Sequence, residues 1–473
     1  MAVFVKNISA PGYDDGLEVK TDTRAMAVVT TLFFMVGFLT CLNDVIIPHL
    51  KAIFELNYAE ALLVQFAFFS SYAIFSYPGG RVVERFGYKK AMIIGLITMA
   101  VGAGMFVPAS YVASFPVFLS ALIILAAGMT VVQVAINPYV TVIGPSATAS
   151  SRLNLAQAFN SVGTFIAPSI GAYLILGGVG QITPAKLHSL PSALQQAYRA
   201  TQASSVRMPY IGLALMLLLI ALALGLIKLK TQTGVSQHTQ DFRPGAFSEA
   251  LERPDTIWNH PWLLFAALGI FTYVGAEVSI GSLLVNYMGL PQIAHLPEQT
   301  AAYFLPVYWG GLMVGRFIGS AILQRVRTGW VVGIAATVAF VLVLISMHTL
   351  GTGTVYTESL NIFGHHKNLI LPRSTPMWTM LGTGVCLSVL FPSIFTMGVQ
   401  GLGPLTSKGS SLLIAAILGG ALIPEIEGKL ADHIGLQPAF IVPAICFIYI
   451  ALFGFATVRR RLTVDPLAPV EPV

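Results

Sequence analysis

Apolar residues run in stretches of about twenty along most of the chain, separated by short polar breaks. A helix of about twenty residues spans a hydrocarbon core of roughly 30 Å, so each stretch predicts a membrane-crossing helix. Twelve are expected, at about 25–48, 58–79, 90–109, 114–138, 153–178, 207–229, 262–288, 300–324, 329–350, 376–400, 409–431 and 437–458. Gly and Pro interrupt several of them, which membrane helices tolerate where neighbouring helices re-satisfy the backbone. A polar stretch with Asp241, Arg243, Glu249, Glu252 and Arg253 divides the spans into six and six. The expected organisation is a tail over 1–24, a six-helix bundle over 25–229, a linker over 230–261, a second six-helix bundle over 262–458 and a tail over 459–473. The pattern thus predicts an all-α polytopic membrane protein.

Composition agrees. Hydrophobic residues are 55% and charged residues 10% of 473, with a mean hydropathy of +0.77. A soluble domain carries about 25% charged residues, so this chain lacks the polar surface to stay in water. The net charge of +6 comes without a basic cluster interleaved with aromatics, so no nucleic-acid partner is expected. Lys and Arg instead concentrate between alternate spans, among them Arg24, Arg81, Arg85, Lys89, Lys90, Arg152, Lys228, Arg325, Lys408 and Arg459. By the positive-inside rule that side is cytoplasmic, and both termini lie there. Residues 1–24 contain no cleavable signal, so the first span doubles as the targeting signal. Cys41, Cys386 and Cys446 are widely spaced in apolar runs and suggest neither disulfide nor metal. No cofactor is expected. Residues 351–375 read as an outer loop rich in His, Gly and Thr.

Polar residues inside apolar runs carry the chemistry, because an unpaired carboxylate or amide in hydrocarbon is costly. Asp44 follows Asn43 within the first span. On the fourth span Gln133, Asn137 and Thr141 step by four; on the fifth, Asn154, Gln157, Asn160, Ser161 and Thr164 share one face. Amides both donate and accept, which suits the hydroxyls of a neutral sugar. The alternative is hydrogen bonding between helices for packing alone, and Asn154 fits that best. Asp44 either loads a proton, binds sodium with Asn43, or forms a structural pair with Arg316. Glu277 on the seventh span either binds sugar, shares the coupling ion or pairs with a base. Glu425 sits near Glu427 and Lys429 at spacings that suit a local ion pair. Asn286 and Trp309 are further candidate sugar contacts.

Gly80, Glu84, Arg85, Gly87, Lys89 and Lys90 complete the pattern G-x-x-x-[DE]-R-x-G-x-[KR]-[KR], which resembles the cytoplasmic loop motif of the major facilitator superfamily. Gly315-Arg316-Phe317 on the eighth span looks like a partial echo of it, placing Arg316 with this gating motif. Internal repetition points the same way: Ser151/Ser407, Arg152/Lys408, Gly163/Gly419 and Pro168/Pro424 match at one constant offset of about 256. Three blocks are closer still: C-L-N-D-V-I-I-P-H-L from Cys41, A-I-N-P-Y-V-T-V-I-G from Ala135 and S-S-R-L-N-L-A-Q-A-F-N-S-V-G-T from Ser150. With Y-V-G-A-E-V-S-I-G-S from Tyr273, they resemble the fucose–galactose–glucose symporter family.

The resemblance implies twelve helices in two pseudo-symmetric bundles and cation-driven sugar uptake by alternating access across the bacterial inner membrane, by a monomer. Asp44 matches that family's essential acid. Fucose-transporting members carry Glu where Gln133 stands and Gln where Glu277 stands, so the second acid has in effect moved to the other half. That leans the substrate toward glucose or galactose. Proton coupling is favoured, with sodium near Asn43 and Asp44 as the alternative. A drug or organic-solute exporter is the rival on the same fold, and a membrane-embedded enzyme lacks any nucleophile, metal or phosphate motif.

Overall fold

The computed structural model describes residues 21–54, 58–112, 114–171, 206–229, 255–351, 355–362 and 365–463, with isolated positions at 191, 194 and 204. Side chains are described in these ranges except at 43–63, 65, 168, 169, 171, 298, 299, 355–371 and 460–463. The expected tails and most of the linker lie outside the described residues.

The helices are α1 (Thr23–Phe54), α2 (Tyr58–Val112), α3 (Phe115–Val142), α4 (Ala149–Gly171), α5 (Arg207–Leu226), α6 (Pro261–Gly289), α7 (Glu298–Ala302), α8 (Leu305–Ile322) and α9 (Thr328–His348). After a hairpin of strands β1 (Val355–Ile362) and β2 (His365–Pro372) come α10 (Thr375–Leu387), α11 (Leu390–Val399), α12 (Thr406–Ala415), α13 (Gly419–Ile434), α14 (Leu436–Ala439) and α15 (Ile441–Thr463).

Among the described residues, nine helical stretches are long and apolar enough to cross a membrane. One of them, in α2, contains both the second and third expected spans. The helices missing from the nine are α4 and α8, those carrying the amide face and Arg316. Polar groups on these two helices lower their hydropathy, and with the two halves of α2 the described helices are consistent with the expected spans. Gly87 separates those halves at φ +77°, a conformation that glycine adopts without a Cβ penalty.

The tenth and eleventh spans are broken. Ser388 and Val389 part α10 from α11, and a 3-10 turn at Ala416–Leu418 parts α12 from α13. The outer insertion corrects the loop expectation. Val355 to Ile362 pairs antiparallel with His365 to Pro372, in the register Val355↔Pro372 to Ile362↔His365. Val355, Tyr356, Thr357, Ile362 and Ile370 supply β-branched and aromatic side chains that favour strands.

Packing gathers the chain into two compact units. One holds residues 268–397 and 419–463; the other holds the described residues up to Ala267 together with 398–418. Segment 398–418 was expected with the C-terminal bundle. It packs in the other unit because α12 lies on α2 and α3: the Ser410 hydroxyl donates to the Val134 carbonyl at 3.0 Å, and Gly80 leaves room for Ser411.

In this second unit α1 crosses α4, and α2 packs on α3 and α5. At the α1–α4 crossing a Cβ on Gly163 would lie 2.8 Å from the Phe38 nitrogen and closer still to the Phe34 carbonyl. Small residues let membrane helices approach this closely. Gly163→Leu is therefore expected to destabilise the protein by about 2–3 kcal/mol, the upper part of the overpacking range. Thermal unfolding in detergent checks this, and a midpoint equal to wild type would contradict the crossing.

Polar side chains finish the helix ends. Asp22 accepts from the backbone nitrogens of Arg24 and Ala25 at 3.0 and 3.1 Å and caps α1. The Arg152 guanidinium is buried and donates to the carbonyls of Val140, Thr141 and Pro145 and to the Thr148 hydroxyl, at 2.7–3.2 Å. It thereby satisfies carbonyls that the end of α3 leaves without helical partners.

Candidate functional site

In the unit built on α1 to α5, polar side chains form a connected path through four helices. Thr40 on α1 faces the buried Tyr72 hydroxyl on α2. Gln133 Nε2 donates to that hydroxyl at 3.0 Å. Asn137 Nδ2 donates to the Gln133 carbonyl at 2.8 Å, and Gln157 Nε2 on α4 reaches Asn137 Oδ1 at 3.5 Å. An amide can make about four hydrogen bonds, so these contacts leave capacity on the group for a ligand. Thr40 and Asp44 are one helical turn apart on α1. Asn43 and Asp44 have helical backbone there, and their side chains lie outside the described residues.

The rest of the α4 face holds helices together. Asn160 Nδ2 donates to the Phe33 carbonyl at 3.0 Å and Thr164 Oγ1 to the Gly37 carbonyl at 3.3 Å, both on α1. Asn160 is half-buried, whereas Asn154 is fully buried. Spacing placed these amides on one face but could not separate those meeting α1 from those meeting α3.

The other unit holds a charged cluster. Glu277 Oε1 on α6 lies 3.9 Å from Arg316 Nη2 on α8, with side chains 13% and 9% exposed. Arg316 was expected with the cytoplasmic gating motif; it is instead buried beside Glu277, because α6 presents it with a carboxylate. Its Nε also donates to the Ser388 carbonyl at 3.4 Å, at the break between α10 and α11. Tyr273 faces both charges, and the Tyr308 hydroxyl donates to the Glu277 backbone carbonyl at 3.1 Å. Close approach of α8 to α10 makes this possible: Gly315 leaves room for Ser388, and Gly384 for the Tyr308 carbonyl. Trp309 stacks edge-on to Tyr308 and lies against Gly281. Asn286 is exposed, nine residues and hence about half a helical rotation beyond Glu277, so the structure does not bring it to the cluster.

The loop motif is used in three ways. Gly80 is the close contact with α12, and Gly87 makes the turn. Lys89 Nζ donates to the Gly225 carbonyl at 2.9 Å, where a cation suits the negative end of α5. Glu84, Arg85 and Lys90 are exposed. Tyr72, Tyr308 and Ser388 escaped sequence reasoning. Their roles come from partners on other helices, and no local spacing encodes those partners.

Known proteins share this sequence and fold. The profile of the Major Facilitator Superfamily matches residues 28–365. The glucose/galactose transporter of Brucella abortus is 42% identical over 430 residues, 91% of this chain and 93% of that protein. The L-fucose-proton symporter of Escherichia coli is 33% identical over 433 residues, 90% and 92% of the two chains. The crystal structure of the transporter FucP in its outward conformation superposes with a TM-score of 0.77 at 31% identity, covering 91% of this chain and 98% of that one. A polytopic, largely helical fold is thus shared with a solved transporter. The chain belongs to the Major Facilitator Superfamily and, within it, to the fucose–galactose–glucose symporter family.

Proposed function

We propose that this protein is a secondary active transporter, not an enzyme, that takes up a neutral hexose by proton symport with alternating access. Glucose and galactose are the first candidate substrates, with fucose or a related hexose next. The observation that carries this reading is the path Thr40–Tyr72–Gln133–Asn137–Gln157, a run of neutral donors and acceptors ending one turn from Asp44. Such groups match the alternating hydroxyls of a sugar, and an anionic solute would call for free cations instead. The names of the Brucella and Escherichia relatives support the substrate class and the proton.

In this reading Gln133, Asn137 and Gln157 bind sugar hydroxyls, Asn160 holds α4 to α1, and Trp309 offers a ring for the apolar sugar face. Asp44, beside Asn43, carries the coupling proton. Glu277 and Arg316 neutralise each other and can each turn to a sugar hydroxyl. By sequence the two bundles are 25–229 and 262–458, with segment 398–418 packed on α2 and α3. The protein works as a monomer in the bacterial inner membrane, with both termini cytoplasmic.

Uptake of labelled glucose, galactose and fucose into proteoliposomes is the test. Accumulation above equilibrium is expected under an inward proton gradient for at least one sugar. Accumulation driven by sodium alone would replace the proton in this reading, and transport of none of the sugars would reject it.

A further inference from the structure

The eleventh span was expected to carry a local ion pair of Glu425, Glu427 and Lys429, and only part of it forms. Lys429 Nζ lies 3.3 Å from Glu425 Oε1 at an exposed surface. Glu427 points the other way. It is 0% exposed, and neither carboxylate oxygen has a hydrogen-bond partner. The side chain lies where its own α13 faces the Ser279 hydroxyl of α6. Ser279 Oγ is likewise buried without a partner.

Among the described residues no cation faces this carboxyl. On α13, Glu425 and Lys429 pair with each other, and Asp432 and His433 are exposed. On α6 the nearest acid, Glu277, is engaged by Arg316. Helix α14 carries no ionisable side chain, and on α15 Cys446 is the titratable group in range. An ionised carboxylate in such surroundings costs several kcal/mol, so the group is neutral in this conformation. Sodium is a poor fit, because a hard cation needs several oxygen ligands and, among the described side chains, Ser279 is the one that faces this carboxyl.

Two features make the site able to change. Helix α13 starts directly after the 3-10 turn at Ala416–Leu418, a break of the kind that marks hinges in helical spans. Glu425, two residues and about 200° away around α13, is at an exposed surface, so the opposite side of the same short helix is already open to the outside. Ser279 and Glu277 are two residues apart and about 200° apart around α6, so this helix carries an acid site on each side.

We propose that Glu427 is a proton-exchanging site of this transporter, protonated while buried against Ser279 and deprotonated when α13 exposes it to water. The inference deepens the proton-symport reading and rests on it for its role in coupling.

Infrared difference spectroscopy of the reconstituted protein tests the site itself without any sugar. Wild type is expected to show a carboxylic-acid carbonyl band that appears and disappears with pH, and Glu427→Gln to lack it. A band insensitive to pH, or one that survives in Glu427→Gln, overturns the proposal. Transport then tests its role. The ratio of gradient-driven accumulation to sugar exchange is expected to fall at least about tenfold in Glu427→Gln, equivalent to about 1.4 kcal/mol. A ratio equal to wild type overturns a part in coupling. Ser279→Ala keeps the acid in place and is expected to shift the pH at which the band disappears, so the proposal stays testable if Glu427→Gln does not fold. Should wild type itself fail to accumulate sugar under a proton gradient, the symport reading fails while the infrared titration still decides whether Glu427 exchanges a proton.

Discussion

Arg316→Met is expected to destabilise the protein by about 3–5 kcal/mol, because it leaves the Glu277 carboxylate buried without its cation. The pair is Coulombic more than hydrogen-bonded, since its closest approach is 3.9 Å. Its strength comes from exclusion of water, as both side chains are at most 13% exposed. Glu277→Gln in the Arg316→Met background should recover most of the loss, because the double variant buries no unpaired charge. Unfolding midpoints of the four proteins of this cycle in detergent give the coupling directly. Additive losses would show that Glu277 and Arg316 act independently. Arg316 also donates to the Ser388 carbonyl. The single Arg316 variant should therefore loosen the α10–α11 break as well, visible as faster amide exchange after Ser388 than in Glu277→Gln.

Asp44→Asn is expected to abolish accumulation of sugar above equilibrium. The concentration ratio under a proton gradient should fall at least about tenfold, a loss of about 1.4 kcal/mol of coupled work. An asparagine fills the same volume and keeps hydrogen-bonding capacity but cannot carry the proton. Flux in that variant should follow the sugar gradient alone, measured as efflux from sugar-loaded vesicles that no longer responds to external pH. Uphill uptake equal to wild type would remove Asp44 from the coupling path and leave Glu277 or Glu427 to carry it. Asp44 and Glu277 are separable experimentally, because Glu277 is tied to Arg316 and is read from stability, whereas the coupling prediction for Asp44 is read from transport.

Hydrophobic periodicity located the spans well. The expected stretch at 114–138 is α3 at Phe115–Val142, and that at 207–229 is α5 at Arg207–Leu226. Lipid makes this possible, since every residue facing it must be apolar for about twenty positions. Hydropathy fails where a span faces protein: α4 and α8 carry amides or Arg316 that neighbouring helices satisfy. Breaks inside the tenth and eleventh spans were not legible, because Ser388 and Ala416–Leu418 leave the helix only in the company of their neighbours. The hairpin at 355–372 was missed for a different reason: its strand-forming residues are spread among polar ones in a segment read by composition.

Sequence by itself determined that this chain is a membrane-spanning helical protein with acids and amides in its spans, and which helix faces those amides share. Both follow from local physics, the cost of polar groups in hydrocarbon and the 3.6-residue helical period. Tertiary structure alone decided the partners. It joined Gln133 to Tyr72, gave Asn160 to α1, set Arg316 against Glu277 and parted the adjacent acids Glu425 and Glu427 into a surface ion pair and a buried carboxyl. The physical reason is that a hydrogen bond or ion pair between helices depends on which faces meet, and that is settled by close packing at positions such as Gly163 and Gly315.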